Sequence, residues 1–293
     1  MRKNRSSLTA SGIALARAVE SEKTAGERIC YDPYARQFIP SWMYHLLGFF
    51  IKVGYAELRG PGVNGYLVAR ERYIDDVLQK FVDEGIQQLV ILGAGYDSRA
   101  YRFDLPGGVK TFEVDHPLTQ ADKLEKAQRI FGRTPENVTY VSVDFNTQQL
   151  SERLLSSGYD PGLISLFIWQ GVTMYLGAEG VANTLTFIVK NAAPGSAIVF
   201  DYVYQAVLDG IQKHNEISNM NRYRFMTGEG LTFGIPEGTV GAFLRRYGFH
   251  QVKDVTSEEL KAAYFTGKNA SRKVMGGYGI VIGKIELPRK EGV

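Results

Sequence analysis

Residues 90–99, VILGAGYDSR, form an apolar run that breaks into glycine, alanine and glycine. A second apolar run follows and ends at Asp115. Glycines at the end of a buried strand let the backbone approach a ligand closely, and an acid at the tip of the next strand can accept hydrogen bonds from both ribose hydroxyls. The two runs therefore predict a nucleotide site at the ends of neighbouring strands.

Two residues after the glycines indicate which nucleotide is favoured. The dinucleotide fingerprint G-x-G-x-x-G has a third glycine that lets the helix pack near a pyrophosphate, whereas this chain has Ser98 there. Asp97 stands at the start of the following helix, where an acid repels phosphate and suits a cationic ligand. The pattern favours S-adenosylmethionine, a nucleoside that bears a sulfonium and an amino acid, over NAD.

The composition is that of a globular enzyme. The chain has 293 residues, 44% of them hydrophobic, which allows one large domain with an elaborated cap. Lysine and arginine number 34 against 31 acids, without a dense basic run, so we expect no nucleic-acid partner. The single cysteine, Cys30, excludes an internal disulfide and a cysteine-rich metal site and fits the cytoplasm. The histidines lack metal-site spacing, so we expect no metal.

Two apolar segments near the N-terminus are interpreted as parts of the folded protein. Arg17 interrupts the first, which leaves an apolar core shorter than the roughly 7 to 15 residues of a signal peptide. The second, residues 42–53, is shorter than the about 20 residues that span a bilayer and contains His45 and Lys52. We expect an N-terminal arm followed by a cap or packing helix, and no membrane partner.

From residue 88 onward, strand-like runs alternate with helical patterns, which is typical of a mostly parallel sheet covered on both faces. The predicted strands are residues 88–93, 109–114, 138–144, 163–169, 196–202, 250–255 and 278–285. No convincing helix separates the last two, and a short connection joins only antiparallel strands. We therefore predict an α/β, Rossmann-like class I methyltransferase fold, with a seven-stranded, mostly parallel sheet whose last strand is antiparallel.

The whole chain, residues 1–293, is predicted to be one methyltransferase domain. A helical arm or cap comprises residues 1–85, the cofactor-binding core 86–203, a cap insertion 204–235, and the C-terminal part of the core 236–293. Both additions are expected over the carboxyl ends of the strands, where open α/β sheets bind ligands.

One basic residue lies on the apolar face of a predicted helix. In the helix predicted over residues 66–83, apolar side chains between Ile74 and Phe81 form a stripe along one face, and Arg70 falls on that same face. The acids, Glu71 among them, occupy the opposite polar face. An unpaired buried charge costs several kcal/mol, so this guanidinium needs a partner. The partner is either a ligand carboxylate held in bidentate geometry or an acid elsewhere in the chain.

Acids also end the second and third predicted strands. Asp115 is predicted to bind the ribose, although Asp115-His116-Pro117 is equally typical of a helix start. Asp144 can accept a hydrogen bond from the adenine amine while Phe145 defines the plane of the base, although an acid there is also common as a cap or in a surface turn. Both interpretations stay open for each acid.

The fourth predicted strand runs into Gln170 and Gly171 at the ligand-facing end of the sheet, beside the expected position of the reactive methyl. Gln170 is a candidate contact for the ribose or the amino end of the ligand. Tyr175 could pack on the ligand or donate a hydrogen bond, with core packing as its alternative role. His116 is the histidine beside a predicted cofactor acid, so Tyr175 and His116 are the candidate catalytic residues.

Five motifs in this order resemble the leucine carboxyl methyltransferase family, in particular its bacterial branch of S-adenosylmethionine-dependent and polyketide O-methyltransferases. They are Arg70, Leu92-Gly93-Ala94-Gly95-Tyr96-Asp97-Ser98-Arg99, Glu113-Val114-Asp115-His116-Pro117, Asp144-Phe145 and Gln170-Gly171-Val172-Thr173-Met174-Tyr175-Leu176. The resemblance covers nearly the whole chain and implies that S-adenosylmethionine is the cofactor.

The resemblance also implies roles for single residues. Arg70 would hold the methionine carboxylate, and Asp115 would bind the ribose. The other residues assigned to the cofactor are Gly93, Ala94, Gly95 and Asp97 in the loop, His116, Asp144 and Phe145 at the next strands, and Gln170 and Gly171 at the fourth. Arg17 or Lys23 is a candidate second basic contact. Family members commonly carry a glutamate in place of Gln170, so the amide is expected to weaken attraction to the sulfonium or amino group.

The expected reaction is O-methylation of a carboxylate or hydroxyl on a small apolar or aromatic, polyketide-like molecule. A carboxylate is ionised at neutral pH and needs no general base, whereas a phenol, with a pKa near 10, benefits from one. The aromatic residues of the expected cap suit a flat substrate and equally suit a cap core: Trp42, Tyr44, Phe49, Phe50 and Tyr55. The alternatives are methylation of a protein C-terminus and a nonenzymatic protein that binds S-adenosylmethionine.

Overall fold

One seven-stranded sheet runs through the computed structural model, which describes residues 8–145, 148–211 and 230–286. The strands are β1 (Gln88–Leu92), β2 (Lys110–Asp115), β3 (Val138–Ser142), β4 (Ser165–Trp169), β5 (Ala197–Val203), β6 (Phe249–Thr256) and β7 (Tyr278–Ile285). Their order is β3-β2-β1-β4-β5-β7-β6, with β1 to β5 mutually parallel and β7 antiparallel to both of its neighbours. The predicted α/β fold with an antiparallel last strand is confirmed.

The connection between the last two strands differs from the prediction. A helix, Ser257–Tyr264, lies between β6 and β7. A reciprocal capping box begins it, because the Thr256 side chain accepts from the amide of Glu259 while the Glu259 side chain accepts from the amide of Thr256. The strand order also places β7 between β5 and β6, so the reversed strand is internal to the sheet.

Helices cover both faces of the sheet. Within the described residues they are α1 (Leu8–Ser21), α2 (Ser41–Lys52), α3 (Tyr55–Arg59), α4 (Val63–Asp83), α5 (Arg99–Arg102), α6 (Pro117–Phe131), α7 (Leu150–Ser156), α8 (Ala178–Asn191), α9 (Gln205–Leu208), α10 (Val240–Tyr247) and α11 (Ser257–Tyr264). β1, β4 and β5 are buried at every residue, as expected for parallel strands covered on both sides. No helix in the described ranges is long and apolar enough to cross a bilayer.

The N-terminal arm has a small apolar core of its own, separate from the core around the sheet. Ala14 and Leu15 of α1 pack there with Phe38, Met43 and Tyr44 from the next two elements. The predicted insertion, residues 204–235, falls partly on 212–229, which lie outside the described residues. Its two described ends meet at a parallel bridge between Tyr204 and Ile235.

A buried ion pair lies between β2 and α6. Lys123 Nζ is 2.7 Å from Glu113 Oε2, and both side chains are almost fully buried. When Glu113 is ionised the two groups attract as charges, although their relative orientation is not that of a hydrogen bond. Burial raises the pKa of Glu113 to about 7, against the opposing effect of Lys123.

Relative to the Glu113→Gln/Lys123→Met double variant, we expect the wild-type protein to lose stability as the pH rises from 4.5 through about 7. The carboxyl ionises near 4.5 in the unfolded chain but keeps its proton until about 7 when folded, so folding opposes ionisation over that interval. The loss is on the order of 3 kcal/mol. Urea denaturation of both proteins across this pH range measures it, and parallel pH profiles would contradict the assignment.

Candidate functional site

A cavity of about 400 Å³ opens at the carboxyl ends of the central strands, within the range of about 300 to 1,000 Å³ typical of small-molecule sites. Its wall is formed by Thr9, Ala10, Ile13, Arg17, Ile91, Leu92, Gly93, Ala94, Gly95, Tyr96, Asp97, Asp115, His116, Thr119, Asp144, Phe145, Gln170, Gly171, Val172, Tyr175, Leu176 and Gly230. Every residue predicted to bind the cofactor lines this cavity except Arg70 and the alternative basic candidate Lys23. The topology thus brings together motifs that lie far apart in the chain.

The glycine loop after β1 needs residues without side chains. Gly93 has φ +66, and a Cβ there would lie 2.3 Å from Val172 Cγ2, inside the van der Waals contact distance. Gly95 has φ +46, and a Cβ there would lie 3.4 Å from the Cβ of Ala10 in α1. Left-handed backbone at both positions favours glycine. The loop therefore presents bare backbone to the cavity between the tip of β4 and α1.

Asp115 at the tip of β2 holds the glycine loop. Its Oδ2 accepts from the amide of Gly95 at 2.5 Å, and its Oδ1 accepts from the amide of His116 at 2.6 Å. Burial raises the pKa of this carboxyl, and the two amide donors act in the opposite direction. Asp115 is not the cap of α6, because that role belongs to His116. The helix-start interpretation of Asp115 is therefore wrong in this detail.

We expect Asp115→Asn to weaken binding of S-adenosylmethionine about tenfold while the protein stays folded. The amide group can accept from one of the two backbone donors but turns its own NH₂ toward the other, so the glycine loop loses a charge-assisted hydrogen bond. Isothermal titration calorimetry measures the affinity. Asp104→Asn, at an exposed loop position, is the matched control, and equal affinities for the two variants would contradict this role.

His116 is held as a helix cap. Its Nδ1 accepts from the amide of Leu118 at 3.2 Å, which places the proton of a neutral ring on Nε2. Nε2 lies 4.0 Å from Oδ2 of Asp144 at the tip of β3. Neither nitrogen of the neutral ring then has a lone pair available for a proton, so this arrangement does not support the predicted catalytic role of His116 as a general base.

Arg70 lies behind the cavity wall rather than in it. Its Nη1 pairs with Asp201 Oδ2 on β5 at 2.5 Å, and both side chains are buried. Asp201 Oδ1 accepts from the amide of Gly171 at 2.5 Å. Arg70 therefore has the structural acid partner that the helix pattern left open. Its Nε and Nη2 have no hydrogen-bond partner within the described part of the chain, so donors remain for a ligand carboxylate.

Gly171 is the residue that separates this guanidinium from the cavity. It has φ +70, and a Cβ at this position would lie 3.5 Å from Nη1 and 3.8 Å from Nη2 of Arg70. A side chain here would cover the two groups. Because Gly171 has no side chain, only its backbone lies between the Arg70 guanidinium and the cavity.

A buried charge network below the glycine loop is the main feature that the sequence did not reveal. Arg99 is fully buried and pairs with Asp97 at 2.5 Å, Asp75 at 2.8 Å and Glu71 at 3.0 Å. Burial opposes ionisation of Glu71, yet the neighbouring arginines hold its pKa well below the usual range. Placing Glu71 on a polar, solvent-facing side of α4 was therefore wrong, because its side chain is only 1% exposed.

Gln170 is a neutral bridge inside this network. Its Oε1 accepts from Arg99 Nη1 at 2.9 Å, and its Nε2 donates to Glu71 Oε2 at 2.9 Å. An amide can satisfy a cation on one side and an anion on the other, which a carboxylate cannot do. The amide is thus explained by contacts within the protein, in addition to any contact with the cofactor.

Arg17 is the basic residue of the arm that reaches the site. It lines the cavity, donates from Nε to Asp32 at 2.9 Å and from Nη2 to the carbonyl of Tyr96 at 2.5 Å, and so ties α1 to the glycine loop. Lys23, the other candidate, pairs with Glu20 and does not line the cavity.

The aromatic residues that suited either a flat substrate or a cap core do not reach the cavity. None of Trp42, Tyr44, Phe49, Phe50 and Tyr55 lines the cavity. Tyr44 is buried in the core of the arm, and the other four are exposed. The apolar side chains of the cavity wall include Ile13 of α1 and Val172, Tyr175 and Leu176 after β4, and others come from β1 and Phe145.

Fold and site together define an S-adenosylmethionine-dependent methyltransferase, with a glycine loop after β1 and acids at the tips of β2 and β3. The family described as leucine carboxyl methyltransferase matches residues 10–189, and this chain belongs to that family. The resemblance seen in the sequence motifs is thereby confirmed, and S-adenosylmethionine is the cofactor.

Relatives agree with this assignment, and a solved structure shares the fold. A protein of Mycobacteroides abscessus, provisionally named an S-adenosyl-L-methionine-dependent methyltransferase, is 30% identical over 75% of this chain and 77% of its own length. A protein of Parafrankia with the same provisional name is 29% identical over 64% of this chain, but the match spans only 58% of that protein. The crystal structure of a provisionally named methyltransferase from Thermobifida fusca shares the fold, with a TM-score of 0.61, 14% identity and 96% of each chain covered.

Proposed function

We propose that this methyltransferase transfers a methyl group from S-adenosylmethionine to a carboxylate oxygen of a small apolar molecule. The observation that supports it is one cavity in which the glycine loop and the strand-tip acids face an apolar wall containing Ile13, Val172 and Leu176. Such a wall suits a molecule whose body is apolar and whose reacting group points to the cofactor.

The residues present fit the cofactor. Bare backbone at Gly93 and Gly95 gives the close approach that a nucleoside needs, and a Cβ at Gly93 would close it. Asp115 faces the cavity as the acceptor for ribose hydroxyls, and Arg70 retains unsatisfied donors for a carboxylate. When bound, S-adenosylmethionine supplies an electrophilic methyl group on a sulfonium. The protein then contributes mainly by holding both reactants in line and by excluding water behind α1.

Three titratable side chains of the cavity wall already form hydrogen bonds within the protein, which favours a methyl acceptor that needs no general base. His116 caps α6, Asp115 accepts two amides, and Asp97 accepts from the amide and the guanidinium of Arg99. A carboxylic acid, with a pKa of about 4, is already ionised at neutral pH, so no proton has to be removed before methyl transfer. The oxygen forms its bond to the methyl carbon as sulfur keeps the electron pair of the broken bond.

The test uses methyl-labelled S-adenosylmethionine with matched acceptors: an aromatic carboxylic acid, the phenol of the same ring system, and a peptide with a free C-terminus. We expect label on the carboxylic acid, released as methanol by mild alkali because the product is an ester, and a rate nearly constant from pH 6 to 8. Alkali-stable label on the phenol would assign hydroxyl methylation, and label on the peptide would assign a protein substrate. Cofactor binding without transfer to any acceptor would favour the nonenzymatic alternative.

A further inference from the structure

An exposed apolar surface covers helices α2 and α3. Twelve large hydrophobic side chains are exposed among the described residues, and eight of them lie between residues 42 and 58. We define the α2–α3 face by its most exposed members, Trp42, Leu46, Phe49, Val53 and Leu58. Trp42 is 62% exposed and Leu58 79%. Contiguous apolar surface of this kind on a protein usually marks an interaction site.

The α2–α3 face is a continuous helical stripe. Trp42, Leu46, Phe49 and Val53 follow one another at spacings of four, three and four residues, which places them on one side of α2 and its C-terminal end. The opposite side of α2 is buried against α1, where a Cβ on Gly48 would lie 3.4 Å from Val19 Cγ2. Such a helix, apolar on both sides, is normally buried all round. Its second side therefore requires an apolar environment.

The charges around the α2–α3 face are mainly basic, and its one acid, Glu57 of α3, accepts from the backbone amide of Gly62. Residues 33–56 contain no aspartate or glutamate, whereas Arg36 and Lys52 lie in this stretch and Arg59 just beyond it. Within the described ranges, the side-chain hydrogen bonds of Arg36 and Arg59 go only to neutral oxygens, and neither arginine forms an ion pair. Lys52 is the exception, because it pairs with Glu22. The apolar face thus has unneutralised arginines at its two ends.

We propose that the α2–α3 face binds an anionic lipid surface, with its apolar side chains in the interface and Arg36 and Arg59 at the headgroup phosphates. Tryptophan, tyrosine and arginine are the residues that settle at such interfaces. A second copy of this chain is the less favoured occupant, because pairing two such faces would bring together arginines of the same sign, while Glu57 of each copy is already engaged by the backbone amide of Gly62. Anionic lipid supplies the opposite charge.

This proposal concerns a helix that lies on a bilayer and not one that crosses it. At about 1.5 Å per residue, the 12 residues of α2 extend about 18 Å, shorter than the hydrocarbon core. The sequence-based expectation of no membrane partner rested on that length and on His45 and Lys52 within the segment, and the present proposal departs from it for a helix that lies on the surface of a bilayer. The inference is also independent of the acceptor proposed above, since it requires no methyl transfer.

The test is flotation with vesicles of phosphatidylcholine alone and of phosphatidylcholine mixed with phosphatidylglycerol. We expect the wild-type protein to float with the anionic vesicles and to be released by salt. Trp42→Ser/Phe49→Ser and, separately, Arg36→Gln/Arg59→Gln should each reduce binding at least about tenfold. All four side chains are on the surface or only partly buried, so both variants should fold and bind S-adenosylmethionine as the wild type does.

Leu155→Ser is the matched control, because Leu155 is an exposed leucine on α7, outside the α2–α3 face. It should float as the wild type does. Failure of the wild-type protein to float with anionic vesicles would overturn the proposal. Sedimentation of the wild-type protein and of Trp42→Ser/Phe49→Ser then shows whether the face binds a second copy of the chain. A dimeric wild type and a monomeric variant would assign the face to that contact.

Discussion

Replacing Arg70 by methionine should destabilise the protein by about 3 to 5 kcal/mol, because it leaves the Asp201 carboxylate buried without its guanidinium partner. The double variant Arg70→Met/Asp201→Asn should recover most of this stability, since an asparagine can still accept from the amide of Gly171 and carries no charge. The same double variant should bind S-adenosylmethionine at least about tenfold more weakly than the wild type, because the donors expected to hold the methionine carboxylate are gone.

Urea denaturation measures the first effect and calorimetry the second. Arg72→Met serves as the control on the same helix, since Arg72 pairs with Asp76 at the surface and should affect neither quantity strongly. If the double variant bound the cofactor with wild-type affinity, Arg70 would have only a structural role. If it stayed as unstable as the single variant, the ion pair with Asp201 would not explain the loss.

Replacing Gln170 by glutamate should lower the free energy of unfolding by an amount on the order of 3 kcal/mol at pH 8. One carboxylate oxygen would still face Arg99, but the other would meet Glu71 Oε2 where an amide now donates at 2.9 Å. The neighbouring charge raises the pKa of the introduced carboxyl. The penalty should therefore be largest at high pH and shrink as the pH falls and the new carboxyl takes up a proton.

The exchange variant Gln170→Glu/Glu71→Gln tests the same contact with the charges reversed. It keeps one amide and one carboxylate in contact and should recover much of the stability that Gln170→Glu loses. Denaturation at pH 5 and pH 8 of the three proteins gives the comparison. Tighter cofactor binding by Gln170→Glu at pH 8 would instead support the sequence-based interpretation, in which the amide merely weakens attraction to the cofactor.

Much of the fold was predictable because its signals are local. All seven predicted strands overlap the observed ones, since short apolar or alternating runs bounded by glycine, proline and acids indicate strands without knowledge of their partners. The helix between β6 and β7 was missed, although its capping box, Thr256 to Glu259, is a recognisable start signal. Its apolar face is short, so periodicity gave little support.

The candidate site was predictable in position and only partly in contacts. Topology places the carboxyl ends of parallel strands at one edge of the sheet, and this is why the glycine loop and Asp115 meet at one cavity. The burial of Glu71 could not be predicted from α4 alone, since a helix with an apolar stripe normally turns such acids to solvent. Its arginine partners come from elements that precede and follow that helix.

The sequence by itself determined where the strands lie along the chain, the position of the glycine loop and the class of cofactor, because backbone preference and hydrophobic period act over a few residues. Tertiary structure alone decided which charges face each other. Arg70 meets Asp201 across 131 positions, and Gln170 meets Glu71 across 99. Charged side chains pair with whichever opposite charge lies near them in space, and not near them in sequence. Burial makes these pairs necessary, since a charge removed from water is costly without a partner.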